Sequence, residues 1–279
     1  NGYDQTKSLV VRTELKSPDG TTVWSDEKNG SVADRKVESV VQKTTVPKPH
    51  LWNGLKDPFL YELKSTVLLD GKPVDSVTQR VGIRNFQIDS AKGAFLNGRH
   101  YPVYGMCRHE DRAGRGRALT YADHDADMKI IREMGARGLR LAHYPHSKYF
   151  LDLCDREGLL IWSEVPIVDR ITDSDAFTEN ARQQLTEMIR QNVNRPSIIC
   201  WGLWNELMHE PSPDPVALIK GMHELAAQED PSRPTVGAAN WASQKAPGLR
   251  EVAGLTAWNK YLGWYGGEAE EMGGFLKKM

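Results

Sequence analysis

From about residue 89 onward, the sequence repeats one pattern, a short apolar strand followed by an amphipathic helix. Six such strands are predicted, near residues 101–106, 137–141, 159–163, 198–204, 234–239 and 254–258. Strands that alternate with helices form a parallel sheet, either open and doubly wound or closed as a (β/α)8 barrel. No Gly-x-Gly-x-x-Gly run follows the first strand, so nothing supports dinucleotide binding.

Residues 1–88 have the pattern of antiparallel β-structure instead. Apolar and polar side chains alternate from Phe59 to Leu69, and Asp70-Gly71 is a turn signal. Four or five strands in this length predict an immunoglobulin-like β-sandwich. We therefore predict two domains, an all-β sandwich over residues 1–88 and an α/β domain over residues 89–279.

The composition excludes several classes of partner. The 279 residues carry 36 Lys and Arg against 37 Asp and Glu, a formal net charge of −1. This balance gives no electrostatic reason to expect nucleic acid or an anionic membrane surface as a partner. No apolar run approaches the roughly 18 residues that span a bilayer. The cysteines lie in apolar segments and are predicted to be buried thiols (Cys107, Cys154, Cys200). The cellular location is left open.

Polar side chains suited to binding or catalysis follow nearly every predicted strand. They are Arg108-His109-Glu110, His143-Tyr144, Glu164, Asn205-Glu206, Asn240-Trp241, and Asn259 with Tyr261 and Trp264. In a barrel the carboxyl ends of all strands meet at one face, where they build a single site. This pattern favours a barrel over a doubly wound sheet. Since a closed barrel has eight strands, the six found here predict an incomplete TIM barrel.

At these positions the sequence resembles glycoside hydrolase family 2. The resemblance rests on YGMCRHED (104–111), RLAHYP (140–145), CD (154–155) and WGLWNE (201–206), and extends to LW (51–52) and PFLY (58–61). It covers essentially the whole chain and is greatest to the family's β-galactosidases. It implies hydrolysis of terminal non-reducing β-D-galactosyl residues with retention of configuration. The alternatives are another exo-β-glycosidase of the family, a β-glucuronidase or β-mannosidase, and a non-catalytic carbohydrate-binding fragment.

The resemblance also implies roles for individual residues. Retaining glycosidases use two carboxyl groups about 5–5.5 Å apart, one as acid/base and one as nucleophile. Glu206 corresponds to the acid/base, and Asn205 to the amide that hydrogen-bonds the sugar 2-hydroxyl. His109 and His143 resemble the family's sugar-binding histidines, which as neutral rings can donate to hydroxyls. The alternative for both is a structural histidine.

Three further residues are expected to support the nucleophile or the site. Arg140 resembles the arginine that keeps the nucleophile ionised, and its alternative is a buried ion pair. Tyr261 resembles the tyrosine that orients the nucleophile in related β-glucuronidases, and its alternative is aromatic packing. Glu164 is expected to form hydrogen bonds behind the residues that touch the substrate.

The sequence also departs from the family. The family's nucleophile is a glutamate at the end of the seventh strand, in a Ser/Thr-Glu-Tyr/Phe-Gly run, and no such run follows residue 265. We expect the nucleophile to lie beyond this chain, and the isolated chain to be inactive. Val168 and Arg170 occupy positions where metal-dependent β-galactosidases have a Glu and a His, so neither a metal nor another cofactor is predicted. The expected partner is a β-galactoside or related oligosaccharide, and the complete enzyme is expected to form a homo-oligomer.

Overall fold

A computed structural model of the chain describes residues 1–2, 4–209, 212–246 and 248–277. The first four strands are β1 (Lys7–Lys16), β2 (Thr22–Val32), β3 (Tyr61–Leu69) and β4 (Lys72–Val81). They form one antiparallel sheet in the order β2-β1-β3-β4. The predicted turn at Asp70-Gly71 joins β3 to β4, with φ of +51° and +74°. Irregular chain covers one face of the sheet, where Gln42 accepts a 2.7 Å hydrogen bond from Thr13.

A small antiparallel sheet connects this immunoglobulin-like domain to the barrel. It consists of β5 (Phe86–Asp89), β6 (Gly93–Leu96) and β7 (Arg99–His100). Phe86 and Leu96 pack with Trp52 against Leu160 and Ile199, which lie at the start of two barrel strands. The small sheet thus covers the amino-terminal ends of those strands. The predicted domain boundary at residue 88 falls within β5 and stays a prediction.

The rest of the chain alternates strands and helices. In chain order these are β8 (Gly105–Arg108), α1 (Tyr121–Glu133), β9 (Gly138–Leu141), α2 (Lys148–Glu157), β10 (Leu160–Glu164), α3 (Asp175–Asn192), β11 (Ile198–Asn205), α4 (Val216–Glu229), β12 (Thr235–Ala239), α5 (Leu249–Val252), β13 (Leu255–Trp258) and α6 (Met272–Leu276). The six strands form a parallel sheet in sequential order, with β8 and β13 at its edges. The predicted incomplete TIM barrel is confirmed.

Local sequence signals determine where the first two helices begin and end. Thr120 caps α1 through a reciprocal hydrogen-bond pair with Asp123. Helix α2 ends at Gly158, which adopts a left-handed conformation with φ of +77°. The start of α1 thus fixes where the loop at the carboxyl end of β8 stops, and the end of α2 fixes the turn that leads into β10.

The main hydrophobic core lies between the parallel sheet and its helices, and includes Phe150, Ile161, Leu185 and Trp204. Strands β11 and β12 approach closely, since a Cβ on Gly237 would lie 2.1 Å from the Trp204 indole. Glycine is therefore required at position 237 of β12. The next residue of this strand contacts the backbone of Glu206. None of the helices within the described part of the chain is long and apolar enough to cross a bilayer.

Candidate active site

Glu206 follows β11 directly, and its side chain is held by groups that follow two other strands, β12 and β13. Its backbone N–H donates to the Ala238 carbonyl of β12 at 2.7 Å, and its φ is +51°. Such a conformation costs a residue with a Cβ about 1 kcal/mol, a strain that clusters at functional sites. The Glu206 side chain is 18% exposed, so it can be reached by a ligand.

Two amides hold the Glu206 carboxylate. Asn240 Nδ2, after β12, donates to Oε2 at 2.8 Å, and Asn259 Nδ2, after β13, donates to Oε1. The Tyr261 hydroxyl lies 3.5 Å from Oε1. The pKa of Tyr261 is raised, first by burial and then by the negative charge of Glu206. Both carboxylate oxygens are thus fixed in position.

Arg140 is the central cation of the site. Its guanidinium donates to Glu164 Oε2 at 3.1 Å, to Asn205 Oδ1 at 2.7 Å and to Asn259 Oδ1 at 2.9 Å. Glu164 is 1% exposed, and its two oxygens accept hydrogen bonds from Arg140. Arg140 therefore forms the buried ion pair that was the alternative to its catalytic role. Its expected role toward a nucleophile stays a prediction.

Asn205 is oriented by the same network. Its Oδ1 accepts hydrogen bonds from Arg140 at 2.7 Å and from Asn259 at 2.9 Å. Among the described residues, its amide nitrogen has no hydrogen-bond partner. The two N–H groups of this amide, next to Glu206, are therefore available to a ligand.

The two predicted sugar-binding histidines lie side by side. The rings of His109 and His143 meet edge to face, with centroids 5.2 Å apart. His143 Nδ1 lies 2.9 Å from Glu164 Oε1. His143 Nδ1 also lies 3.1 Å from Arg140 Nη2, so this nitrogen faces both a hydrogen-bond acceptor and a donor, and the described residues leave Nε2 to contact a ligand. Burial, and then the charge of His143, lower the pKa of His109, which favours its neutral form.

The contacts of Asn240 and Asn259 with Glu206 are not visible in the sequence, because pairing between distant strand ends depends on the sheet register. Cys107 was predicted to be buried, but this thiol is exposed. The reason is that Cys107 lies on β8, an edge strand of the sheet.

One group of residues has ligands suited to a metal ion. Asp169, Glu206 and His209 each offer a ligand atom, and these atoms lie within 4.8 Å of one another. However, Asn240 Nδ2 lies 3.0 Å from His209 Nε2 and also donates to Glu206. A cation would have to displace this amide from both groups. The prediction of no metal, made from Val168 and Arg170, did not consider this set and stays a prediction.

The site opens to solvent beside Glu206. A cavity of about 420 Å³ there is lined by His209, Asn240, Trp241, Tyr261 and Tyr265, among others. Trp241 is 63% exposed. A fixed, accessible carboxyl group beside a cavity is suited to exchanging a proton with a bound molecule.

Comparisons with known proteins agree with this geometry. The sequence model of the "Glycosyl hydrolases family 2, TIM barrel domain" matches residues 87–270, and that of "Glycosyl hydrolases family 2" matches residues 1–84. A β-glucuronidase of Bacteroides fragilis is 45% identical over 240 residues, which cover 84% of this chain and 34% of that protein. A β-galactosidase of Bacteroides ovatus is 32% identical over 75% of this chain and 25% of its own length.

Solved structures are similar over the whole chain. A putative β-galactosidase from Bacteroides fragilis has a TM-score of 0.92 at 36% identity, covering 100% of this chain and 41% of the other. The Bacteroides uniformis β-glucuronidase also has a TM-score of 0.92, at 31% identity, covering 100% of this chain and 35% of the other. The chain thus spans well under half the length of these proteins. Since the barrel match alone covers most of its residues, the chain belongs to glycoside hydrolase family 2.

Proposed function

We propose that this chain carries the acid/base side of a retaining exo-β-glycosidase active site, with Glu206 as the acid/base. The observation that supports this most is the position of the Glu206 carboxylate, held by Asn240 and Asn259 at the edge of an open cavity. A carboxyl group in this arrangement can meet a glycosidic oxygen without first having to change its own orientation.

In the first step, protonated Glu206 gives its proton to the glycosidic oxygen as the bond from that oxygen to C1 breaks. The aglycone leaves as an alcohol, and a carboxylate nucleophile forms a bond to C1 from the opposite face. In the second step, Glu206 removes a proton from water, which attacks C1 and releases the nucleophile. Two inversions give net retention.

The nucleophile is proposed to come from outside these 279 residues. Glu164 is the buried carboxylate of the site, but Arg140 and His143 occupy its oxygens and it is 1% exposed. It is therefore unsuited to attack C1. Its contacts with these two side chains hold them in orientation instead. Tyr261 and Arg140 are proposed to face the nucleophile.

Asn205, His109 and His143 are proposed to bind the sugar. The amide nitrogen of Asn205 is available to the 2-hydroxyl, where a hydrogen bond strengthens in the transition state. His143 is proposed to contact a sugar hydroxyl through Nε2, because its Nδ1 faces Glu164 and Arg140. The adjacent His109 ring lies within reach of the same part of the sugar.

Two sugars are candidates. The motifs favoured a β-galactoside, and the Bacteroides ovatus relative carries the name β-galactosidase. A β-glucuronide is the second candidate, since the 45% identical relative is named β-glucuronidase. Tyr261, which resembles the nucleophile-orienting tyrosine of related β-glucuronidases, supports the same candidate.

A panel of aryl β-glycosides tests the proposal in the full-length enzyme that contains this chain. Nitrophenyl β-galactoside, β-glucuronide and β-mannoside are compared, and the first-formed anomer of the released sugar is identified by NMR. We expect turnover of the galactoside or the glucuronide with a β-anomer product. An α-anomer would contradict the retaining mechanism, and sugar binding without turnover would favour a non-catalytic protein.

A further inference from the structure

The residues on either side of His109 point away from the site into a buried polar cluster. Successive side chains at a strand end alternate in direction. Arg108 and Glu110 are each 7% exposed, whereas His109 between them is exposed. The cluster contains residues from α1 and from the loop after β9, and none of its members takes part in the proposed chemistry.

Arg108 is the centre of this cluster. Its Nη2 donates to Asp127 Oδ2 at 2.7 Å, and its guanidinium lies 3.9 Å from the Phe150 ring centroid. Its Nη1 is 3.1 Å from His146 Nδ1, and its Nη2 is 3.2 Å from His124 Nδ1. One buried cation, neutralised by one carboxylate, thus contacts two imidazole rings.

The chemistry of arginine determines the tautomer of both rings. A guanidinium has only donors, so His146 and His124 must accept at Nδ1 and carry their proton at Nε2. Burial and the charge of Arg108 lower the pKa of His146 to about 3, so this ring is neutral at physiological pH. The same two causes lower the pKa of His124.

Of the two rings, His146 donates a hydrogen bond into the loop that carries His143, and His124 faces Glu110, the residue after His109. His146 Nε2 donates to the carbonyl of Ala142, the residue before His143, at 3.3 Å. His124 Nε2 lies 3.7 Å from Glu110 Oε1, and that oxygen accepts from the Ser147 backbone at 2.8 Å. Arg108 is therefore connected through His146 to the backbone next to His143, whereas His124 lies beyond hydrogen-bond distance of Glu110.

We propose that Arg108 and His146 are positioning residues, which hold the peptide before His143 in place and so set the position of the His143 ring relative to that of His109. This inference rests on the proposed function, because it assumes that both rings bind the sugar. The buried Arg108 cation takes no part in the catalytic steps, and this positioning role accounts for its presence beside the site. His146 acts here through a backbone carbonyl.

A double-mutant cycle in the full-length enzyme tests this. His146→Phe removes the donor to Ala142, and we expect kcat/KM per active site to fall about 10-fold, since small misplacements of binding groups are costly. Active sites are titrated with a covalent inhibitor, so a loss of folded protein is not counted as a loss of rate. In a His143→Ala background, His146→Phe should have no further effect, because the residue through which it acts is gone.

Additive losses in this cycle, or an unchanged kcat/KM in His146→Phe, would overturn the proposal. His223→Phe is the matched control, since this histidine on α4 bonds Thr235 at 2.7 Å, outside the site. It should leave kcat/KM within about twofold of wild type.

Two more variants give an answer if His146→Phe does not fold. Glutamine places a donor near the position of Nε2, whereas asparagine places its polar atoms near Nδ1. We expect His146→Gln to keep kcat/KM within about threefold of wild type and His146→Asn to lose most of it, and the reverse order would overturn the proposal. If Glu206→Gln leaves hydrolysis unchanged, the proposed function itself fails, which no outcome of the His146 variants imitates.

Discussion

The side-chain amide of Asn240 lies 2.8 Å from Oε2 of Glu206, although the two residues are 34 positions apart in the chain. The amide is itself fixed, because Asn240 Oδ1 accepts a 2.9 Å hydrogen bond from the backbone of Ala242. The position of the proposed acid/base is therefore coupled to the turn that follows β12.

Replacing Asn240 tests this coupling. A hydrogen bond to a charged group contributes about 1.5–3 kcal/mol, so Asn240→Ala should lower kcat of the full-length enzyme roughly 10–100-fold. The loss should be greater for alkyl glycosides, whose departure needs a proton, than for nitrophenyl glycosides. Asn180→Ala, on the exposed face of α3, is the control. Equal kcat values for the two variants would contradict the role of Asn240.

His109 and His143 are predicted to bind sugar rather than to stabilise the fold. Each alanine variant should lower kcat/KM about 10-fold, the effect of one lost hydrogen bond, with little change in melting temperature. Kinetics and thermal unfolding of the same preparations provide the check. A variant that fails to fold, while its residual soluble protein binds sugar-like inhibitors normally, would show that this histidine is structural.

The buried histidines predict how stability depends on pH. In the unfolded chain a histidine titrates near its usual pKa of about 6.5. Burial lowers the pKa of His146 to about 3 in the folded chain. Between these two values the unfolded state binds the extra proton, so stability is full above the higher value and is lost as pH falls, by up to about 1.4 kcal/mol per pH unit.

His146→Gln should remove this contribution. Urea unfolding of wild type and variant at about pH 7.5 and about pH 5 measures it, and the wild type should lose more stability between the two conditions. His124 also has a lowered pKa, for the same reasons of burial and the Arg108 charge, so some loss remains in the variant. Identical losses in both proteins would contradict the assignment of a neutral, buried His146.

The barrel strands and helix ends were predictable because they depend on local signals. The capping pair Thr120 and Asp123, and Gly158 after α2, are recognisable from neighbours within a few positions. Since Glu164 and Glu206 each follow an apolar strand, the sequence alone also predicts that they share the carboxyl-end face of the barrel.

Contacts between distant segments were not predictable in the same way. The Arg108 cluster joins α1 to the loop after β9, and nothing in the sequence indicates that His124 and His146 share one guanidinium. The ring nitrogen with which His143 faces the sugar is another such case. Its Nδ1 contacts Arg140 and Glu164, and Glu164 lies 21 positions away.

The isolated chain is predicted to be inactive and prone to associate. No oxygen of Glu164 is free to attack a sugar, and the outer edges of β8 and β13 leave backbone groups unpaired in the described part of the sheet. Light scattering should detect oligomers or aggregates, and nitrophenyl β-galactoside and β-glucuronide should not be hydrolysed. Turnover by a monodisperse monomer would show that the nucleophile lies within this chain.

The most direct test of the account is the leaving-group dependence of Glu206→Gln in the full-length enzyme. Loss of the proton donor should slow hydrolysis of a disaccharide or alkyl glycoside about 10²–10⁴-fold, while the first step on a nitrophenyl glycoside is much less affected. Added azide, which needs no general base, should partly restore turnover and yield a β-glycosyl azide. Unchanged hydrolysis of the disaccharide, or no response to azide, would contradict the assignment of Glu206 as the acid/base.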